Sequence, residues 1–156
     1  MNFDPGEELE YVGFWLRVWA SIIDSVLVLA VTLPVLAAVY GRVYFNARGG
    51  LHGPADLLIS YLLPAIAIIA FWHFRQATPG KMAIGARVVD ARTGAAPSVA
   101  QCVGRYLGYY VSIIPLFLGL IWVGLDPKKR GWHDKLAGTV VVRPKNRTPQ
   151  PVRFVR

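Results

Sequence analysis

The chain has 156 residues, of which 54% are hydrophobic and 17% are charged, and its formal net charge at pH 7 is +8. The hydrophobic share exceeds the roughly 45–50% that is usual in soluble domains. The single cysteine, Cys102, excludes an internal disulfide and a cysteine-based metal site. We expect no metal and no cofactor. No nucleophile–base pattern suggests an enzyme.

Three apolar runs without a charged residue determine the class of protein. Ser25–Gly41 has 17 residues, Leu57–Phe74 has 18 and Tyr106–Leu125 has 20. Runs of about 18 apolar residues are long enough, as helices, to cross the hydrocarbon core of a bilayer. They also lack the polar face that a helix on a soluble core would show. The sequence therefore predicts an integral membrane protein, and its acidic N-terminus does not resemble a cleaved signal peptide.

The elements follow in chain order. The first helix should begin near Tyr11–Phe14 and end at about Tyr40, with Pro34 as a kink. A polar, glycine-rich connection over 41–56 precedes a second helix over Leu57–Phe74. The stretch "AIGARVVDA" predicts a strand. Ser98 and Gln101 have the spacing of a capping box at the start of a further helix, on which one face carries Val99, Cys102, Val103, Tyr106 and Leu107.

The third apolar run raises a question of topology. Residues 75–105 hold five basic residues against two in 41–56, which places the N-terminus in the cytoplasm by the positive-inside rule. A third full crossing would export residues 126–156, which hold nine basic residues. Pro115 divides the third run into two halves that are each too short to span. We favour two full transmembrane helices with a re-entrant hairpin at Pro115, and three full spans are the alternative.

The re-entrant path brings two strand-like segments to one side. "ARVVD" and "TVVVR" would then pair as a small two-stranded cytoplasmic β pair. The fold class is thus an all-α membrane protein with this β pair. Residues 1–10 form an acidic N-terminal tail, residues 11–143 the membrane domain, and residues 144–156 a basic, proline-containing C-terminal tail. The expected location is the bacterial inner membrane.

The basic residues indicate a partner at the membrane surface. Beside apolar spans they favour contact with anionic lipid headgroups and do not indicate nucleic acid. The residues that we expect at the headgroups are Lys81, Lys128, Lys129, Arg130 and Trp132.

Two charges at the head of the first helix need an explanation. Arg17 can extend its side chain to the headgroups, whereas Asp24 is too short to do so and is costly within a bilayer. Asp134 is the expected partner from the far end of the chain, and Asp126 is a less favoured one. A shared centre of Arg17, Asp24 and Asp134 would carry a local negative excess, which a proton or a cation could neutralise. His133 could assist there, although a surface position is favoured for it.

Three motifs in this order resemble a known family. "GFWLRVWASIID", "QATPGKMAIGARVVDARTGAAPS" and "LDPKKRGWHDKLAGTVVV" are similar to the RDD family of small membrane proteins. That family is named for an arginine at the start of the first helix and two aspartates. The resemblance assigns these positions to Arg17, Asp24 and Asp134. It implies a membrane protein for which ligand or ion transport is only suspected.

Two functions of different classes follow. The first is transport of a small ligand, a cation or a proton through a homo-oligomer, because an ionisable residue within a membrane is a candidate functional site. The second is a membrane scaffold that binds another membrane protein, in which the Arg/Asp/Asp cluster only holds the fold together.

Overall fold

The computed structural model describes residues 8–41, 44 and 53–145. These residues form mostly helices and one small sheet. The helices are α1 (Phe14–Tyr40), α2 (Pro54–Arg75), α3 (Pro79–Ala83), α4 (Val99–Ile113), α5 (Leu118–Leu125) and α6 (Trp132–Ala137). The strands are β1 (Leu9–Tyr11), β2 (Arg87–Asp90) and β3 (Thr139–Pro144).

Two helices are long and apolar enough to cross a membrane. α1 has 27 residues and runs without interruption through Pro34, and α2 has 22 residues with one π-helical turn at Leu58–Leu62. The chain covers few of their side chains, and Ala20 and Leu36 are the buried residues of α1. Apolar side chains that point away from the chain are expected where lipid is the solvent. The two predicted membrane helices are confirmed.

The third apolar run is broken at the predicted place. α4 ends at Ile113 and α5 begins at Leu118, and the two helices are bent by 101° at the break between them. Leu116 and Phe117 have φ angles of 53° and 63°, a left-handed conformation that side chains with a Cβ rarely adopt. The tip of this bend is apolar and exposed, since 84% of the Leu116 surface is accessible.

The sheet has one strand more than the sequence predicts. β2 and β3 pair antiparallel, with Val88 opposite Val141, and β1 pairs antiparallel with the other edge of β3. Two residues of β1, Leu9 and Glu10, lie in the predicted acidic tail, and Tyr11 lies at the predicted start of the first helix. Glu10 of β1 binds Arg143 of β3 across the strands, so an acidic residue near the N-terminus pairs with a basic residue near the C-terminus. Just beyond the strand, Glu8 lies 3.0 Å from the Nζ of Lys145.

The sheet packs on the ends of the helices. Its inner face joins α2 and α4 in a core of Val12, Trp72, Ala86, Val88, Cys102 and Val141. The capping box that starts α4 is present, with Ser98 and Gln101 each accepting a hydrogen bond from the other's backbone N–H. The predicted apolar face of α4 does not pack inward as a whole. Val99 and Leu107 are more than half exposed, and the buried face consists of Cys102, Arg105, Gly108 and Ser112.

A glycine allows α3 to approach α1 closely. A Cβ added at Gly80 would lie 2.0 Å from the carbonyl oxygen of Ala20 and 2.9 Å from the Cγ of Asp24. Neither atom belongs to the end of a long flexible side chain that could move aside. The packing of α3 on α1 therefore requires glycine at this position.

We expect Gly80→Ala to destabilise the protein by about 1–3 kcal/mol, the usual cost of overpacking, because α3 must move away from α1. The midpoint of thermal unfolding in a mild non-ionic detergent measures the effect. Gly104→Ala is the matched control, since a Cβ there meets no atom within 4 Å and glycine is unfavourable within a helix. Equal midpoints for Gly80→Ala and wild type would contradict this account of the packing.

Candidate functional site

The centre of the charged cluster is Asp134, which two arginines bind at once. The Nη1 of Arg17 lies 2.5 Å from Oδ2 of Asp134, and Arg105 pairs with Oδ1. The backbone N–H of Gly131 donates to Oδ2 at 3.1 Å. The structure therefore brings Arg17 and Asp134 together, although they are 117 residues apart in the sequence.

Arg17 reaches this centre from the start of α1. Its Nε donates to the carbonyl oxygen of Val12 at 3.0 Å, and its Nη2 donates to the carbonyl oxygen of Lys129 at 2.5 Å. The guanidinium thus fastens α1 to the loop before α6 and to the carboxylate on α6. Only 11% of its side chain is exposed, so it does not extend freely to the headgroups.

Arg105 is the residue that the sequence analysis missed. It is completely buried on α4 and donates to the Oγ1 of Thr139 at 2.9 Å. Its guanidinium carbon lies 5.1 Å from the ring centroid of Trp72 and 5.9 Å from that of Tyr109, within the range of cation–π contacts. A signal was available, because Arg105 shares one helical face with the small residues at 108 and 112.

Asp24 does not join the centre around Asp134. Its Oδ2 accepts a hydrogen bond from the Oγ1 of Thr78 at 2.5 Å, and its Oδ1 accepts one from the backbone N–H of Gly80 at 2.7 Å. In the described part of the chain it makes no ion pair with Arg17. The predicted shared centre is wrong for this residue. Two helical turns separate it from Arg17, so each side chain reaches a different element, and Asp24 satisfies a free N–H at the start of α3.

The sign of the local charge is also opposite to the prediction. Arg17, Arg105 and Lys81 stand near two carboxylates, Asp24 and Asp134, which leaves a positive rather than a negative excess. Burial alone would raise the pKa of Asp134, but Arg105 and Arg17 hold that pKa well below its ordinary value. The two ion pairs therefore favour the ionised form of Asp134.

Lys81 is buried, which corrects its predicted contact with lipid headgroups. Only 6% of its surface is accessible. Its Nζ lies 3.4 Å from the Oγ1 of Thr78 and 5.8 Å from the ring centroid of Trp72. Burial lowers its pKa, and the positive charge of Arg105 acts in the same direction. The physical reason is the close packing of α3, which turns this side chain toward the protein.

His133 is buried and not at the surface as favoured. Its ring stacks on Tyr109 with 4.0 Å between centroids, and its Nδ1 lies 3.3 Å from the Oγ of Ser112. Burial lowers the pKa of His133 to about 3 despite the neighbouring carboxylate of Asp134. The ring is therefore neutral at physiological pH. On the other side of the ring, the Nε2 of His133 lies 3.5 Å from Oδ2 of Asp134, and Ser112, His133 and Asp134 are all buried.

Asp126 and the basic residues after it form a separate loop. Asp126 accepts from Arg130 at 3.1 Å and from Lys135 at 2.8 Å, so it organises the loop and does not join the centre around Asp134. Lys128 is exposed, whereas Lys129 and Arg130 are partly buried. The rings of Trp132 and Trp122 lie 6.3 Å apart. Contact of Lys128, Lys129, Arg130 and Trp132 with lipid headgroups stays a prediction.

A groove lies beside the cluster, between α1, α2 and α4. It encloses about 590 Å³. Its walls are mainly aliphatic and aromatic, with Val28, Ala67 and Phe71 among them. Its polar members are Ser21, Asp24, Ser25, Thr32, Thr78, Lys81 and the tyrosines 106, 109 and 110. Asp24, Thr78 and Lys81 lie at one end, where α3 meets α1. The groove is thus amphipathic, and the end that holds Asp24, Thr78 and Lys81 is called its polar end.

These features define an integral membrane protein in which a small sheet and a buried charge cluster hold the ends of apolar helices together. Residues 11–138 match the sequence model of the RDD family, and the chain belongs to that family.

Three relatives of the chain carry names that assign no activity. It is 28% identical to the uncharacterized membrane protein YteJ of Bacillus subtilis over 142 residues, 86% of this chain and 82% of YteJ. It is 30% identical to the uncharacterized protein YxaI of the same organism, over 83% of this chain and 95% of YxaI. It is 35% identical to the uncharacterized protein RP437 of Rickettsia prowazekii over 48% of this chain and 41% of RP437. No solved structure matches the chain.

We expect Asp134→Asn to destabilise the protein by about 3–5 kcal/mol, because it leaves two buried guanidinium groups without a carboxylate. Unfolding midpoints in mild detergent measure the loss. Glu8→Gln is the control, since its exposed pair with Lys145 should contribute only about 0–1 kcal/mol. If both variants unfold at the wild-type midpoint, Asp134 does not hold the helices together.

Proposed function

We propose that this protein binds a small, largely apolar molecule within the membrane, in the groove between α1, α2 and α4. The groove itself carries the proposal. Its volume of about 590 Å³ lies within the range of roughly 300–1,000 Å³ that small-molecule sites occupy. Like those sites, it combines apolar walls with a few polar groups, among them Asp24, Thr78 and Lys81 where α3 meets α1.

In this proposal the charged cluster is structural. Asp134 accepts from Arg17 and Gly131 and forms an ion pair with Arg105, and Asp24 accepts from Thr78 and Gly80. A cation or proton path through these two carboxylates therefore has little support. Their role is to hold α3 and α6 against α1, which shapes the polar end of the groove. Transport of the bound molecule through several copies of the chain stays a prediction.

We also propose that the α4–α5 pair enters the bilayer and returns to the same side. Since β1, β2 and β3 are hydrogen-bonded in one sheet, the segments before α1, after α2 and after α6 must share one side of the membrane. Two crossings need about 40 helical residues, more than the stretch from residue 99 to residue 125 provides. The positive-inside rule favours the cytoplasm for this side, which contains the basic residues 128–130.

Cysteine labelling tests the topology in spheroplasts, in a chain whose single cysteine is removed by Cys102→Ala. A membrane-impermeant maleimide should label Pro54→Cys in intact spheroplasts, because the connection before α2 faces outward. It should label Glu8→Cys and Lys145→Cys only after lysis. Labelling of Lys145→Cys in intact spheroplasts, with Glu8→Cys protected, would show a full third span and would overturn the re-entrant path.

Chemical extraction tests whether the groove is occupied. The full chain, purified in a non-ionic detergent, should carry a near-stoichiometric amphipathic molecule that mass spectrometry detects after denaturation. Ala67→Phe places a ring in the groove and should lower this content about tenfold, because the apolar surface is then covered by the protein itself. Leu136→Phe is the matched control, since Leu136 is exposed and outside the groove. Equal content in all three proteins would contradict the proposal.

A further inference from the structure

The polar end of the groove holds one buried donor without an acceptor and one buried cation without an ion pair among the described residues. The indole Nε1 of Trp72 is buried and has no hydrogen-bond partner among the described residues. The ammonium of Lys81 lies 3.4 Å from the Oγ1 of Thr78 and 5.8 Å from the ring centroid of Trp72, and it makes no ion pair with a described carboxylate. Both side chains line the groove. A buried donor without a partner is costly, so the Nε1 of Trp72 indicates a missing acceptor, and the buried charge of Lys81 indicates that this acceptor is an anion.

The two nearby carboxylates are already engaged. Both oxygens of Asp24 receive hydrogen bonds from the start of α3, at 2.5 Å and 2.7 Å. Asp134 is held by Arg17 and Arg105. The three cations Arg17, Arg105 and Lys81 thus lie near two carboxylates. One positive charge is left without an anion, and Lys81 is the cation that lines the groove. An anion at this end would complete the balance of charges.

The geometry points to a single-chain amphiphile with a carboxylate head, a long-chain fatty acid, as the molecule that the groove binds. Its carboxylate would accept from the ammonium of Lys81 and from the Nε1 of Trp72. Its chain would lie along the apolar walls formed by α1, α2 and α4. This inference rests on the proposed function and names the class of molecule bound there.

The burial of the cation favours a compact head over a phospholipid. Lys81 is 6% exposed and Trp72 is 2% exposed, so the polar end has little access to water. A phospholipid headgroup carries several hydrated groups, whereas a carboxylate can be satisfied by two or three donors. Burial lowers the pKa of Lys81, and an adjacent carboxylate would favour its charged form. Acid and cation therefore stabilise each other at this position.

Native mass spectrometry of the full chain in non-ionic detergent tests the inference with two matched probes, stearate and methyl stearate. Wild type should bind stearate about tenfold or more tightly than the ester, because only the acid makes charge-assisted hydrogen bonds. Lys81→Met should remove this preference while leaving the affinity for the ester unchanged. Lys128→Met is the control, because Lys128 is an exposed lysine outside the groove, and it should retain the preference.

The outcomes separate this inference from the proposed function. Equal affinity of wild type for acid and ester would overturn the carboxylate assignment, and this comparison needs no variant to fold. A preference that survives in Lys81→Met would overturn it as well. Bound phosphatidylglycerol that stearate cannot displace, but that Ala67→Phe abolishes, would replace the fatty acid by a phospholipid and leave the proposed function standing. If neither probe binds and Ala67→Phe behaves as wild type, the groove is not a binding site.

Discussion

The other contacts depend on one interaction, in which the guanidinium groups of Arg17 and Arg105 bind the ionised carboxylate of Asp134. The three residues come from α6, α1 and α4. Because a buried charge is costly without its partner, these helices must reach their arrangement together. That arrangement places β3 beside β2 and brings the loop before α6 against α1. The groove acquires its polar end next to this centre.

The sequence predicts one half of the charged cluster and not the other. An arginine and an aspartate that are costly in a bilayer can be expected to pair across a long separation, and Arg17 and Asp134 do lie in contact. The sequence predicts Asp24 in the same cluster because Asp24 and Arg17, seven residues apart, lie on nearly the same face of α1. Asp24 instead accepts hydrogen bonds from Thr78 and Gly80 at the start of the short helix α3. The hydrophobic periodicity of the sequence does not show that this helix has free N–H groups there.

Arg105 was missed for a reason that applies to membrane proteins generally. An apolar face on a helix indicates the core when water is the solvent, but lipid can cover the same face. On α4 the exposed side carries Val99 and Leu107, and the buried side carries Arg105 and Ser112. The pairing of β2 with β3 was predictable from their β-branched residues. The three residues of β1 are too few to show alternation, and their pairing depends on β3.

The position of β3 at the centre of the sheet has a consequence for the order of assembly during synthesis. A ribosome completes α1 and α2 long before it reaches residues 132–144, which contain Asp134 and β3. Until then β1 and β2 have no strand between them, and both arginines lack their carboxylate. The helices therefore enter the bilayer as a loose set, and the last segment made joins the first segment to the middle of the chain. Folding of this protein is completed from its carboxyl-terminal end.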